Sequence, residues 1–123
     1  MEIEPIGVIK STYKTRRDAP RQGTESEEVS KIILYDDFAE ILEEIKGQES
    51  LIILYWMHLA DRKILSAESK RRGVFATRSP ERPNPIGFSV VKVLKTGGNE
   101  VDVKYLDAVD GTPVIDIRPY SNG

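Results

Sequence analysis

Short apolar runs separated by turn residues constrain the fold of this 123-residue chain more than any other feature of its sequence. These runs predict six strands, at residues 3–9, 32–35, 51–59, 89–94, 101–105 and 114–117. Because no helix pattern alternates with the strands, most of them are expected to pair antiparallel. Since closure of a sheet removes its exposed edges, the sequence predicts a mainly β protein, a small single-sheeted β-barrel formed by one domain over residues 1–123.

A single segment has the periodicity of a helix. Its apolar residues recur at helical spacing and consist of Phe38, Ile41, Leu42 and Ile45. The pattern predicts one α-helix over about residues 37–46, with Asp37 as its cap and Gly47 as its end. The run at 51–59 is apolar throughout except at His58, which favours a strand buried on both of its faces.

Composition excludes several classes of site and protein. The chain has no cysteine, so it contains no disulfide, thiolate metal site or cysteine nucleophile. Its one histidine, His58, excludes a multi-histidine metal site within one chain, and we expect no metal. The longest apolar run is far shorter than the roughly 20 residues of a membrane helix, and no secretory signal precedes the first strand. We therefore expect a cytoplasmic protein without a membrane partner.

The formal net charge of −2 is the sum of three blocks of opposite sign. Residues 10–22 hold five basic residues and one acid (+4), residues 25–49 hold two lysines and nine acids (−7), and residues 62–82 hold seven basic residues and two acids (+5). Any one block is most simply a solvated face of the protein. Two separate basic blocks in loop-like sequence favour an anionic partner, so the near-zero total does not exclude nucleic acid.

Residues 73–87 are the most unusual stretch of the chain, because three prolines fall within six residues: Pro80, Pro83 and Pro85. Proline lacks a backbone donor and fixes φ, so this stretch is neither a central strand nor a helix. A stiff loop would hold Arg78, Arg82 and Asn84 ready for a carboxylate, a phosphate or the edge of a base. The alternative, of equal weight, is that this loop is only a rigid structural connector at a corner of the barrel.

Two carboxylates lie in the turn sequence of residues 107–113. In the structural interpretation, Asp110 bonds the backbone of its own turn. Asp107 and Asp110 could instead accept hydrogen bonds from the ammonium or hydroxyl groups of a ligand, or take part in acid–base chemistry. His58, a lone histidine in an apolar run, is more often a satisfied core group than a catalyst.

Three segments of the chain carry a resemblance to a known family. The sequences GVFATRSPERPNPIG (73–87) and LDAVDGTPVIDIRPY (106–120) resemble the signature of the TsaA-like (YaeB) family, and residues 6–23 are similar to its opening segment. Characterised members are β-barrel, commonly dimeric tRNA methyltransferases that depend on S-adenosylmethionine. They methylate the exocyclic nitrogen of N6-threonylcarbamoyladenosine next to the anticodon. The resemblance implies the same reaction, cofactor and tRNA partner here, and a homodimer with sites near the subunit interface.

The resemblance also implies roles for individual residues. The implied contacts to S-adenosylmethionine are Pro20, Arg21, Gln22, His58, Leu59, Arg78, Asp107, Ala108, Val109 and Asp110. Leu59 departs from the family, where a polar residue is expected. Catalytic assistance would come from Asp107, Asp110 or a carboxylate of the substrate as a base, or from polarisation by Asn84 or Arg78. The implied contacts to RNA phosphates are Arg16, Arg17, Arg71, Arg72 and Arg82.

A non-enzymatic function is the second hypothesis. The sequence ends soon after the predicted barrel, whereas some relatives carry a further domain that helps to hold tRNA. A small barrel of this kind could bind RNA or a small adenosyl metabolite without transferring a methyl group.

Overall fold

The strands of this protein close into a barrel. The computed structural model describes residues 1–14, 28–60 and 82–120. In chain order, the elements are β1 (Gly7–Lys10), β2 (Val29–Leu34), a 3-10 turn (Asp36–Phe38), α1 (Ile41–Ile45), β3 (Ser50–Trp56), β4 (Ile86–Gly97), β5 (Glu100–Lys104) and β6 (Pro113–Pro119). The barrel order is β1-β2-β5-β4-β3-β6, and all neighbouring strands pair antiparallel. The prediction of a mainly β, single-sheeted barrel is confirmed.

The core lies inside the barrel and is filled by alternate residues of each strand. On β5, Val101 and Val103 are fully buried while the residues between and beside them are half-exposed. The other fully buried aliphatic side chains of the strands are Ile9, Ile32, Leu34, Leu51, Ile53, Val91 and Val114. Branched aliphatic side chains dominate this interior because they pack well against a pleated surface. The interior is therefore a packed core, and a ligand site has to be sought at an end of the barrel or on its outside.

The prediction that the 51–59 run is buried on both faces is wrong. Along β3, Leu51, Ile53 and Tyr55 point inward and are buried, whereas the residues between them are half-exposed on the outer face. A single-sheeted barrel has one core face, so even a continuously apolar strand can bury only alternate side chains in it. His58 lies beyond the end of β3 and is exposed, so it is not the core group that the pattern favoured.

The predicted helix is real but shorter than expected. The segment divides into the 3-10 turn and the single-turn helix α1, and Asp37 makes no cap hydrogen bond at either N-terminus. Leu42 and Ile45 are the buried residues of α1, so only this turn is anchored by core packing. Because helices this short depend on packing rather than on propensity, the rest of the segment remains irregular. Gly47, with φ of +88°, follows α1 as expected.

Connections between strands are sorted to the two ends of the barrel. Strands β1, β3 and β5 all end at the same edge, where β2, β4 and β6 begin; Lys10 pairs with Lys31 there and Trp56 with Ile86. We call this edge the upper end. It receives the connections at 11–28, 57–85 and 105–112.

The opposite edge, which we call the lower end, receives the connections at 35–49 and 98–99. The first of these carries six exposed acids, which are Asp36, Asp37, Glu40, Glu43, Glu44 and Glu49. Within the described part of the chain, no helix is long and apolar enough to cross a membrane.

Candidate functional site

The upper end gathers the residues that the sequence predicts for a functional site. Among the described residues these are His58, Leu59, Arg82, Asn84, Asp107, Ala108, Val109 and Asp110. The predictions for Arg16, Arg17, Pro20, Arg21, Gln22, Arg71, Arg72 and Arg78 fall outside the described residues. Every described member lies in a connection that leaves and re-enters the barrel at its upper end.

Asp107 is held from inside the barrel by two hydroxyl groups. The Tyr55 hydroxyl donates to Oδ1 of Asp107 at 2.5 Å. The Ser89 hydroxyl lies 3.0 Å from the Tyr55 oxygen and 3.4 Å from the same Oδ1. Both hydroxyl-bearing residues are buried, with 4% and 7% of their surface exposed, whereas Asp107 itself is half-exposed. Strands β3 and β4 thus contribute a buried polar anchor for a carboxylate at the mouth of the barrel.

Space for the Tyr55 ring is provided by a glycine on the neighbouring strand. Tyr55 pairs with Gly87 in the register of β3 and β4. A Cβ built on Gly87 would lie 2.5 Å from Cζ of the ring, so no other residue type fits beneath it without displacement. This close approach is the reason for a glycine inside a strand at this position.

The chain reaches Asp107 through a constrained turn. Tyr105, directly after β5, has φ of +72°, the left-handed region that non-glycine residues rarely adopt. Leu106 follows and is fully buried, which anchors the turn in the core. Backbone conformations of this kind persist only where the surrounding structure imposes them, and they are frequent at functional sites.

Asp110 ties two connections of the upper end together. Its Oδ1 accepts a hydrogen bond from the Ser11 amide at 3.0 Å, and its Oδ2 forms an ion pair with Nζ of Lys14 at 3.1 Å. The Ser11 amide, followed by Lys14, lowers the pKa of the Asp110 carboxyl below its usual 3.8. The backbone adds a second link, because the Asp110 amide donates to the Tyr13 carbonyl at 2.6 Å. Both carboxylate oxygens are therefore engaged within the protein.

Ala108 and Val109 are buried, and both residues form hydrogen bonds through their backbone carbonyl groups. The carbonyl of Ala108 accepts from the Ser11 hydroxyl at 2.9 Å, and the carbonyl of Val109 accepts from the Thr112 hydroxyl at 2.7 Å. Their side chains are 4% and 8% exposed. These bonds fix the path of the chain between the two aspartates.

His58 and Leu59 lie in the turn that follows β3, and both are exposed. The turn is attached to the proline-rich stretch, because the Met57 amide donates to the Pro85 carbonyl at 2.7 Å. Asn84, exposed, and Arg82, half-exposed, precede that carbonyl. The structure therefore brings the His58 turn beside the last residues of the proline-rich stretch.

The sequence does not predict a role for two residues that contact Asp107. Tyr55 stands in an apolar run, where it is indistinguishable from a core aromatic residue, and Ser89 begins a predicted strand. Their hydroxyls meet Asp107 across 52 and 18 residues of sequence. No local signal predicts either contact.

A cavity of about 350 Å³ lies beside this cluster, between the N-terminal segment and the upper ends of β3 and β6. Its lining includes Met1 and Ile3 from the N-terminal segment, Trp56 from β3 and Asn84. Asp107 and Asp110 do not line it, so this cavity is separate from the carboxylates at the upper end.

The fold and the cluster define a class of protein: small closed antiparallel barrels whose longer connections collect polar groups at one end. The family model described as the tRNA-methyltransferase O N-terminal domain matches residues 8–123. The chain belongs to this family, which is the TsaA-like family that its motifs resemble.

Known relatives cover the chain almost completely. It is 50% identical to an S-adenosyl-L-methionine-binding protein of Archaeoglobus fulgidus, over 98% of this chain and 90% of that protein. A probable S-adenosyl-L-methionine-binding protein of Methanothermobacter thermautotrophicus is 44% identical, with the same coverage. The crystal structure of TrmO from Pseudomonas aeruginosa matches with a TM-score of 0.81 and 33% identity. That match covers 98% of this chain but 56% of the solved chain, so this sequence spans little more than half of that protein.

Proposed function

We propose that this protein binds S-adenosylmethionine at the upper end of the barrel and transfers its methyl group to tRNA. The acceptor is the exocyclic nitrogen of N6-threonylcarbamoyladenosine next to the anticodon. The observation that carries the proposal is the 50% identity, over nearly the whole chain, to an archaeal protein named for binding this cofactor. Membership of the tRNA-methyltransferase O family supports the reaction and the substrate class.

The chemistry of the cluster fits the cofactor. S-Adenosylmethionine carries an ammonium group, a sulfonium centre and ribose hydroxyls, all of which a carboxylate can contact favourably. Asp107 uses Oδ1 for the two buried hydroxyls, and Oδ2 has no hydrogen-bond partner among the residues that the structure describes. Because the side chain is also half-exposed, its second oxygen is available to a ligand.

The two aspartates take different roles in this proposal. Asp110 already bonds the Ser11 amide and Lys14, and its lowered pKa makes it a weaker proton acceptor than an ordinary aspartate. It therefore shapes the site by joining connections 11–28 and 105–112. Asp107 is the carboxylate that contacts the ligand. His58, Leu59 and the backbone of Ala108 and Val109 would complete the described part of the pocket.

Bound S-adenosylmethionine supplies a methyl group on a positively charged sulfur, and transfer requires an in-line approach by the acceptor nitrogen. The residues of the chain contribute alignment, which is the main source of acceleration in a displacement of this kind. Transfer of the methyl group from the sulfonium to the acceptor nitrogen would require that nitrogen to lose its proton. We propose Asp107 as the acceptor of that proton within the protein, and Asn84 as the donor of a hydrogen bond to the substrate carbonyl.

Charge supports an approach of tRNA from the upper end. Counted by sequence, the connection 57–85 of this end carries a formal charge of +4 and the connection 11–28 balances four basic residues against four acids, whereas the connection 35–49 of the lower end carries −5. We propose phosphate contacts by Arg16, Arg17, Arg71, Arg72 and Arg82. A homodimer with its sites near the subunit interface, acting in the cytoplasm, completes the proposal.

Calorimetry with S-adenosylmethionine tests the first step, with Asp107→Asn and Asp102→Asn as a matched pair. Asp102 is a half-exposed aspartate of β5 whose carboxylate lies 3.8 Å from Lys31, away from the cluster. We expect Asp107→Asn to weaken the affinity by about tenfold or more, as is typical of losing a charge-assisted contact. Asp102→Asn should bind like the wild-type protein. Equal affinities of the two variants would remove Asp107 from the site.

Mass spectrometry of tRNA nucleosides tests the second step. After incubation with S-adenosylmethionine and tRNA that contains N6-threonylcarbamoyladenosine, that nucleoside should gain 14 mass units, about the mass of one CH₂ group. tRNA lacking the threonylcarbamoyl group should remain unchanged. Methylation of both tRNAs would refute the proposed acceptor while leaving the methyltransferase activity intact.

Cofactor binding without methyl transfer is the second candidate function. It is favoured by the names of the two archaeal relatives, which refer to binding alone, and by their length, since this chain spans 90% of each. A protein of this kind binds S-adenosylmethionine in the calorimeter but adds no labelled methyl group to any tRNA. That combination of results would select the second candidate over the first.

A further inference from the structure

We infer that Tyr55 is a positioning residue of the upper-end site: its hydroxyl, together with that of Ser89, holds Oδ1 of Asp107 so that Oδ2 is presented to the ligand. The identity of the ligand, S-adenosylmethionine, rests on the proposed function. The positioning role itself rests on the contacts among these three residues.

The hydroxyl of Tyr55 has no packing role. Phenylalanine would fill the same space in the core, because the two side chains differ only by the hydroxyl group. A buried hydroxyl needs a partner to offset the loss of water, and here the partner is a half-exposed carboxylate at 2.5 Å. The carboxylate could be solvated without this bond. The hydrogen bond from Tyr55 therefore fixes the orientation of the Asp107 carboxylate. It is not needed to compensate a buried charge.

The Tyr55 ring is itself held in place by the neighbouring strand β4. Gly87 lies directly beneath it, so closely that a Cβ there would overlap the ring. The pairing of β3 with β6 also shifts register between Leu54 and Tyr55. The extra residue at this shift, Ile115, belongs to β6, so the contact that fixes the ring is the one with Gly87. The Tyr55 hydroxyl is thus held in a fixed position, and its hydrogen bond orients the Asp107 carboxylate.

Ser89 supports the same carboxylate from the next strand. Its oxygen lies within hydrogen-bond reach of both the Tyr55 hydroxyl and Oδ1 of Asp107. Two donors from β3 and β4 converge on one oxygen of a residue that follows β5. A carboxylate fixed in this way loses less freedom when it binds a ligand, which increases its affinity.

A double-mutant cycle on cofactor affinity tests the inference. Calorimetry with S-adenosylmethionine compares the wild-type protein, Tyr55→Phe, Asp107→Ala and the double variant, with Tyr35→Phe as the matched control. Tyr35 is 46% exposed and lies at the lower end. We expect Tyr55→Phe to weaken binding by about 5- to 30-fold, which is less than the direct loss of a hydrogen bond to a charged group because Tyr55 acts on the ligand only through Asp107. Tyr35→Phe should have no effect. In the Asp107→Ala background, Tyr55→Phe should change the affinity by less than about twofold.

Each outcome has a distinct meaning. A wild-type protein that does not bind the cofactor refutes the proposed function. Wild-type affinity in Tyr55→Phe overturns the positioning role alone, and so does an equal loss with and without Asp107, since Tyr55 would then act through packing. If thermal unfolding shows that Tyr55→Phe does not fold, Ser89→Ala replaces it in the same cycle. A loss of about 2- to 5-fold that depends on Asp107 then supports the inference, and an unchanged affinity overturns it.

Discussion

Replacing Gly87 with alanine tests how tightly the Tyr55 ring is held at the upper end. Gly87 lies opposite Tyr55 in the register of β3 and β4. A Cβ on Gly87 would lie 2.5 Å from Cζ and 2.6 Å from Cδ2 of the ring. Carbon atoms in contact are normally separated by about 3.5–4.0 Å, so the ring has to move by about 1 Å or more.

The cost of this movement follows from the surroundings of the ring. Overpacking a core typically costs about 1–3 kcal/mol, and Tyr55, 4% exposed, has no space on the solvent side. Moving the hydroxyl also weakens its bonds to Asp107 and Ser89, each worth about 0.5–1.5 kcal/mol or more. We therefore expect Gly87→Ala to lower the free energy of unfolding by about 2–4 kcal/mol. At about 4 °C per kcal/mol for a domain of this size, Tm falls by roughly 8–16 °C.

Thermal unfolding followed by circular dichroism measures this effect, with Gly97→Ala as the matched control. Gly97 is the last residue of the same strand, and a Cβ there would meet no atom within 4 Å. A Tm for Gly87→Ala within about 2 °C of the control would refute the reasoning, because it would mean that the ring relaxes freely. In a Tyr55→Ala background the added methyl group should cost less than about 1 kcal/mol, which assigns the effect to this contact.

Three further predictions follow from the core, the ion pair and the charge blocks. Ile53 lies in the barrel interior, and Ile53→Ala should lower the free energy of unfolding by about 2–5 kcal/mol. Ile52 lies on the outer face, and Ile52→Ala should lower it by less than half as much. Urea unfolding of the two variants measures the difference. The pKa of Asp110 is lowered in the folded state, first by the Ser11 amide and then by Lys14, so its stabilising effect is present above pH 3.8 and is lost as the pH falls through the folded-state pKa. The Tm difference between wild type and Asp110→Asn should therefore shrink in acid, and a constant difference from pH 6 to about 2.5 would contradict this. Binding of tRNA should weaken steeply between about 50 and 200 mM salt, and a salt-independent affinity in a filter-binding assay would argue against phosphate contacts.

Strand positions were predictable wherever one face is polar. The alternation of Val101 and Val103 with charged neighbours marks β5 correctly, because that pattern reports a half-buried strand directly. The apolar run containing β3 has no alternation of polar and apolar residues. Its sequence therefore predicts neither that only one face of the strand is buried nor that the strand ends at Trp56. The prediction for β4 was too short, since Gly87 and the preceding prolines conceal the strand that begins at Ile86.

The distinct environments of the two aspartates could not be predicted from the turn motif. Asp110 is occupied by partners near the other end of the chain, with Ser11 lying 99 residues away in sequence. Asp107 is anchored by Tyr55, whose apolar surroundings give no indication of a polar contact. Closure of the barrel creates both contacts, so they depend on strand register rather than on local sequence. A motif can therefore place two carboxylates at one site without distinguishing which of them is available to a ligand.

Topology also explains why the net charge of −2 says little about an anionic partner. In an antiparallel barrel with this strand order, every connection from an odd-numbered to an even-numbered strand leaves from the upper end, and every other connection leaves from the lower end. Counted by sequence, the upper connection 57–85 carries a formal charge of +4 and the upper connection 11–28 balances four basic residues against four acids, while the lower connection 35–49 carries −5. Strands of five to seven residues separate the two ends by roughly 15–20 Å. Since the Debye length is about 8 Å at physiological salt, the lower acids are largely screened from a partner at the upper end. A phosphate chain that approaches this end responds to the charges of the local connections, and the sum over the whole molecule is the wrong measure of its attraction.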